Sequence, residues 1–320
     1  MKDSSLIPLS VAFDKLKKEL SNDTNQQKYR YILLDRLGVV SELSLIYSEE
    51  LEENFPSDRL AVLKRPTLLH ELHSCPLLVC IAAPNEPLNR ELLAAAIVQI
   101  DDEFLNKKQY VSGFIASPLP PKELAEALVE SCLRAGKALN TNYLPFYEPF
   151  ILDLIRHSYI EPNSHLGLLL PTDSNYYFVD MDYQLYAFHS ISYQDEWEFV
   201  LNFTNESLRY NHLNKPQLYQ IAVTLSDLYE EKEKPLPPKI LSKIIHYFYD
   251  PQGKQLKNAN DRRAYVLFSI IYGQLTENEQ LAEIINQVIN NEEKQGQLGK
   301  LLSQEEHALT SIKSKALNNN

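Results

Sequence analysis

Glycine is scarce in this sequence, with eight residues among 320 against 19 tyrosines. Loops that cradle phosphate need clustered glycines, because the backbone itself must close on the phosphate oxygens. The nearest glycine pair is Gly296 and Gly299, in a polar stretch of helical character. Neither a Walker-type loop nor a dinucleotide fingerprint is present, and there is no G-x-S-x-G nucleophile elbow. Cysteine is scarcer still: Cys75, Cys80 and Cys132. So low and odd a number supplies no disulfide framework, and Cys75 and Cys80 are not spaced as C-x-x-C; buried free thiols are expected. No run approaches the ~18 uninterrupted apolar residues of a membrane span. Met1 to Phe13 has one lysine and no apolar core, so it does not read as a signal peptide, and a cytoplasmic protein is expected. Basic residues are outnumbered, 31 to 43, for a net charge of −12. Neither nucleic acid nor an anionic membrane is expected as partner, since both require a basic surface. The imbalance is even: 17 basic and 23 acidic residues precede residue 165, and 14 and 20 follow it. No basic module hides behind an acidic one.

What is present suffices for a folded core: 44% of the residues are hydrophobic and 23% charged. Residues 10–21 space Phe13, Leu16 and Leu20 as an amphipathic helix. Tyr29 to Leu34, Leu77 to Ala83 and Val111 to Ala116 are apolar runs of strand length, and the second reads as a central strand. Between them the sequence predicts a helix over 37–54. Another is capped by Asn85, with Pro87 in its first turn, and runs to about Leu105 with Leu88, Leu92, Ala95 and Ala96 on one face. Further helices are expected over 122–138, on Leu124, Ala127 and Leu128, and over 150–158. Strands alternating with helices across 29–158 predict an α/β or α+β lobe with a small mixed sheet flanked by helices.

From residue 166 the texture changes. Leu166 to Leu170, Tyr176 to Asp180 and Gln184 to Phe188 read as short antiparallel strands, turned at Asp173-Ser174-Asn175 and Asp182-Tyr183. Four helical stripes follow: Leu218, Ile221, Ala222, Leu225, Leu228 and Tyr229; Ile240, Leu241, Ile244, Ile245 and Phe248; Ala264, Leu267, Phe268 and Ile271; Leu281, Ile284, Ile285 and Val288. Pro235, Pro237 and Pro238 break the first from the second, and Asp250-Pro251-Gln252-Gly253 the second from the third. The expected division is an α/β lobe over 1–190 and an all-helical lobe over 191–320, with residues 303–320 frayed.

Candidate chemistry is thin. His70-Glu71-Leu72-His73-Ser74-Cys75 brings two imidazoles and a thiol together, but a structural zinc site needs four ligands and no further cluster is visible. No metal or other cofactor is expected. Asp180-Met181-Asp182 after a strand has the oxygen-ligand form of a divalent cation and nucleotide-sugar site, and equally that of an ordinary acidic turn. A metal-dependent nucleotide-sugar transferase is the alternative this leaves open. Asp101, Asp102 and Glu103 are consecutive, so on a helix they point in different directions and form no acid/base pair. The aromatic residues are the remaining signal. Trp197 and Leu201 are spaced i, i+4 with Phe199 beside them, and Tyr247, Phe248 and Tyr249 end a helix. Aromatics at such spacing serve a core or a protein-binding patch. Tyr147, Glu148, Tyr193, Trp197, Phe199, Tyr247 and Tyr249 are the candidate partner-binding residues.

Three segments resemble the bacterial family known as domain of unknown function 4123, the type VI secretion effector adaptors. Tyr31-Ile32-Leu33-Leu34-Asp35 looks like that family's opening strand. Cys75-Pro76-Leu77-Leu78-Val79 looks like its next strand. Gly113-Phe114-Ile115-Ala116-Ser117, a helix, and Leu144-Pro145-Phe146-Tyr147-Glu148-Pro149-Phe150-Ile151-Leu152 look like its third block. Leu166 to Pro171 resembles a worn version of a turn that follows. The likeness spans roughly residues 29–180. Pro145 stands where the family usually has arginine, Glu148 where it has aspartate, and Gly167 lacks the usual following proline. The resemblance implies a non-catalytic adaptor or chaperone that binds a secreted toxic effector in the cytoplasm and helps load it onto the VgrG spike. A generic interaction scaffold would share these features and differ only in its partner.

Overall fold

A computed structural model describes residues 6–102, 108–234, 236–305 and 307–310. The chain divides into two compact units, residues 1–213 and 214–320. In the first unit the strands are β1 (Tyr29–Leu34), β2 (Leu60–Val62), β3 (Leu77–Ala82), β4 (Val111–Ser117), β5 (Asn175–Val179) and β6 (Leu185–His189). Its helices are α1 (Leu6–Leu20), α2 (Asp23–Gln26), α3 (Ser48–Asn54), α4 (Arg90–Asp102), α5 (Pro121–Ala138), α6 (Pro149–Arg156), α7 (Pro162–Leu166) and α8 (Glu196–Phe203). The fold is α+β.

One sheet takes the order β2-β3-β1-β4-β5-β6. In place of a mixed sheet, every adjacent pair is antiparallel. β3 and β4 both run antiparallel to β1, which lies between them, and α4 carries the chain across. The alternation of strands and helices is therefore a βαβ crossover with a strand inserted into it. β3 is an interior strand as expected, paired with β1 on one side and with the edge strand β2 on the other, and buried along its whole length.

Side chains alternate across this sheet with period two. Tyr31, Leu33, Leu78, Cys80, Ile115 and Phe178 enter one core, closed by Leu124, Leu128 and Cys132 of α5 and by Ile151 and Leu152 of α6. Ile32, Leu34, Val79, Ile81, Phe114 and Ala116 enter the other, closed by Leu16 and Leu20 of α1 and by Leu93, Ala96 and Ile97 of α4. Burial on both faces is what the continuous apolar runs encode, and an antiparallel sheet meets it as well as a parallel one. Phe199, Phe203 and Leu208 belong to the first of these cores, so residues 191–213, expected with the helical lobe, pack with the sheet instead.

Local expectations are corrected in several places. Of the helix expected over 37–54 only Ser48–Asn54 forms. Ser41 and Ser44 turn the chain before it, with Ser41 Oγ accepting from the Leu43 amide at 3.2 Å and the Ser44 carbonyl from Tyr47 at 2.9 Å. Asn85 is not a cap; it lies in a left-handed turn with φ of 65°. The start of α4 is instead capped by Asn89, whose Oδ1 accepts from the Leu92 amide at 3.1 Å. Leu105, the expected end of that helix, lies outside the described residues. Leu166 to Leu170 is not a strand but the end of α7 and a 3-10 turn over Gly167–Leu169. A Cβ on Gly167 would stand 2.2 Å from the His189 carbonyl oxygen, so this turn meets β6 only because the residue is glycine.

The second unit is helical. α9 (Glu206–Glu230) enters it, followed by α10 (Ile240–Tyr249), α11 (Pro251–Gln255), α12 (Ala259–Tyr272), α13 (Glu279–Asn290) and α14 (Leu298–Ser303). Pro216, interior to α9, falls just past the division at Leu213 and withholds one helical amide. Leu218, Ile221, Ala222 and Leu225 are buried as the stripe predicts, as are Ile240, Leu241, Ile244 and Phe248, and Leu281, Ile285 and Val288. α12 is rotated from the expected stripe: Tyr265, Val266 and Ser269 are buried, while Ala264, Leu267, Phe268 and Ile271 are half-buried. Asp250, read as a breaker, caps α11 by accepting from the Gly253 amide at 2.6 Å. Pro235 and residues 311–320 lie outside the described residues; within the described part of the expected frayed tail, Ala308 and Leu309 are buried. No helix among the described residues is long and apolar enough to cross a membrane.

Candidate functional site

Two carboxylates far apart in sequence, Asp35 and Glu148, meet at one end of the sheet. Asp35 follows β1 directly, and its buried Oδ2 lies 2.9 Å from Lys108 Nζ. The same ammonium lies 3.2 Å from Glu148 Oε1, just ahead of α6. Arg65, after β2, closes the group with a guanidinium nitrogen 3.5 Å from that Glu148 oxygen and its charge 5.6 Å from the centre of the Tyr143 ring. Asp35 Oδ1 also accepts from the Leu37 amide at 3.1 Å, which fixes the turn out of β1. Pro145 carries no charge, and the guanidinium beside Glu148 comes from Arg65, 83 residues upstream of it.

Each charge here has an opposite partner, so the group holds segments together rather than leaving an acid or base free to act. Beneath it the Cys132 thiol and the Tyr143 and Tyr147 hydroxyls interact with one another in the core. Burial pushes the Cys132 thiol up to about 12 and the Tyr147 phenol well above its ordinary range, so neither ionises near neutrality. Burial alone would lower Arg65, but Tyr147, Glu148 and Asp35 around it raise it on balance.

A second group lies at the β5–β6 turn, where Asp180 was the alternative metal ligand. Its Oδ1 accepts from the amides of Asp182 at 3.0 Å and Gln184 at 2.9 Å. Its Oδ2 is 3.1 Å from Arg156, which also binds Asp153 at 2.5 Å. Asp180 thus organises the turn and ties it to α6. Burial, and then the neighbouring Asp153, push its carboxyl up to about 6. Asp153, which is also buried, stays below its usual range: His157 and Arg156 overcome the burial that would raise it. His70 and His73 are exposed while Cys75 is buried, its thiol reaching the Leu68 carbonyl oxygen at 3.6 Å. No group of three or more potential metal ligands is assembled among the described residues. Asp101 and Asp102 are the last two residues of α4; Glu103 lies outside the described residues.

The aromatic candidates separate by environment. Tyr147 and Phe199 are fully buried and serve the core rather than a surface. Phe199 stacks on Phe203 with ring centres 5.1 Å apart, because both face the sheet from α8. Trp197 is 72% exposed and Leu201 59%, on the opposite side of the same helix. Tyr193, in the preceding loop, lies on the core side instead, 5.3 Å from the Phe199 ring and hydrogen-bonded by Arg134. Glu148 is engaged by Lys108 and Arg65 as described. Tyr247 and Tyr249 are half-buried on α10, the first edge-on to Tyr265 at 6.5 Å and the second accepting from Asn214 Nδ2 at 3.3 Å. Of the candidates Trp197 alone is exposed; Tyr193 packs with the buried face of α8, and Tyr247 and Tyr249 are half-buried on α10. Sequence reading missed Arg65 and Lys108, each the second residue of a basic pair, Lys64-Arg65 and Lys107-Lys108, with no spacing signal that points to a site.

No family model, curated protein or solved structure matches the chain.

Proposed function

We propose that this chain is a non-catalytic adaptor, which binds a type VI secretion effector in the cytoplasm and helps load it onto the VgrG spike. The carrying observation is the ordered set of motif segments at Tyr31 to Asp35, Cys75 to Val79, Gly113 to Ser117 and Leu144 to Leu152. The fold supports the reading in one respect. These segments are β1, β3, β4 and the entry to α6, and the two acidic motif residues, Asp35 and Glu148, share Lys108. Motif positions scattered over more than a hundred residues thus belong to one structural unit. The clothed carboxylates and the exposed Trp197–Leu201 pair suit a protein that holds another protein better than one that turns over a substrate.

The test is co-expression with the effector and VgrG encoded beside it. A complex that survives size exclusion, together with loss of effector secretion when the gene is deleted, is the expected result. If the chain elutes alone and secretion is unchanged, the reading is wrong. Mn²⁺-dependent binding of a nucleotide sugar, lost in Asp180→Ala, would favour the transferase instead.

A further inference from the structure

β2 is an edge strand, and the ladder fixes which way its backbone points. The Leu63 amide donates inward to the Pro76 carbonyl at 2.8 Å, and the register pairs Leu60, Ala61 and Val62 with Val79, Leu78 and Leu77. In an antiparallel ladder alternate residues bond to the same neighbour. Ala61 and Leu63 therefore face β3, while the amide and carbonyl of Val62 and the carbonyl of Leu60 point away from the sheet. These outward groups have no backbone partner among the described residues. A row of unpaired backbone groups is a template for one more strand.

Beside this edge lies a groove of about 820 Å³ between β2 and α5. Its helix wall presents Ala125, Val129 and Leu133, an apolar stripe at successive turns, with Leu133 40% exposed. Glu126 and Glu130, one turn apart and both exposed, rim the same wall, and neither has an ion-pair partner among the described residues. Asp58, Lys64 and Lys122 also line the groove, which leaves Glu126 and Glu130 as an acidic pair on the middle of the helix wall.

We propose that this edge and groove hold an extended peptide segment of a partner protein, added as a seventh strand beside β2. Its backbone pairs with Val62 and Leu60. Every second side chain is apolar and enters the groove against Val129 and Leu133, and a lysine or arginine meets Glu126 and Glu130. Only an extended backbone supplies donors and acceptors at the spacing the edge presents, and the free carboxylates select a basic residue. The proposal rests on the adaptor reading for the existence of a client, but its test uses peptides alone.

A displayed library of random twelve-residue peptides, selected on the full chain, tests it. The enriched sequences are expected to alternate apolar residues and to carry lysine or arginine. Val62→Pro removes only an outward amide, which an edge strand tolerates, and should weaken a selected peptide about tenfold or more. Val129→Asp, on a half-exposed helix face, should do the same from the other wall. Glu126→Lys with Glu130→Lys should abolish the preference for basic residues. No enrichment, or peptides indifferent to both single variants, overturns the proposal. So does a dimer of the chain that Val62→Pro dissociates, since a second copy would then own the edge. Peptide binding without co-purification of effector or VgrG would keep this site and reject the adaptor reading.

Discussion

The two units hold themselves together by different means. The sheet unit buries charge: Arg30, Asp35, Asp153 and Asp180 are all nearly inaccessible. Arg30 donates to the carbonyls of Ala83 and Glu86 at 2.7 and 2.6 Å, pinning the loop after β3. Asp153 and Asp180 share Arg156. The helical unit relies on apolar stripes, and among its described residues Asp261 is the one buried charge. Its carboxylate accepts from the amides of Gly296 at 2.6 Å and Leu298 at 2.9 Å, fixing the entry to α14 on α12. A two-faced sheet must turn its chain at both ends and needs polar anchors there; stacked helices need only stripes and caps. Buried charge here marks where chain reversals are pinned, and its presence alone does not mark catalysis.

The largest expected effect that would sharpen this contrast is Phe199→Ala. Loss of a fully buried ring should cost about 3–5 kcal/mol. Hydrogen exchange should show the loss across the sheet unit, with α12 and α13 little changed; equal losses in both would merge the two units into one. Asp261→Ala should do the reverse. It strands two backbone amides, at about 1–3 kcal/mol each, and exchange should quicken around Gly296 and Leu298 first.

Asp180 gives a smaller effect, with a sign that denaturant titrations can read. Its folded carboxyl is raised to about 6 against an ordinary value near 4. The folded chain therefore holds a proton there that the unfolded chain has released. That contribution is complete below about pH 4 and is lost as the pH rises through about 6. Asp180→Asn, locked in the neutral form, should gain on the wild type across this window, by at most about 3 kcal/mol. Asp153, held low, contributes in the opposite direction: its share is present above its ordinary value and lost as the pH falls below it. A variant that loses ground as the pH rises would show that Asp180 is a stabilising carboxylate after all. Smallest is Trp197→Ala. Its ring is exposed, so stability should move by no more than about 0.5 kcal/mol, whereas co-purification with a partner should fall if the α8 surface is used. A stability loss like that of Phe199→Ala would place Trp197 in the core.

Much of this architecture was legible in the sequence. Five of the six strands are apolar or alternating runs of five to seven residues, and their burial follows directly from their pattern. β2 has only three residues, too few to show a period, although it forms the edge on which the groove depends. The 166–170 run is apolar because it is buried, and periodicity cannot tell a buried turn from a buried strand. On α12, Tyr265 and Ser269 outrank more apolar neighbours because they face inward, Tyr265 donating to Asp250 Oδ2 at 2.5 Å. Asp35 and Glu148 stand in segments that the sequence singled out as resembling a family, but their partners do not. Lys108 and Arg65 each end a basic pair and are brought in by chain folding, and nothing local distinguishes them from the neighbouring Lys107 and Lys64.

Hydrogen exchange on the full chain, free and in complex with a co-expressed effector, tests the central claim most directly. The account predicts slowed exchange in residues 57–64, including the outward amide of Val62, and in the groove-facing half of α5. A stable complex that leaves both segments unprotected would contradict it.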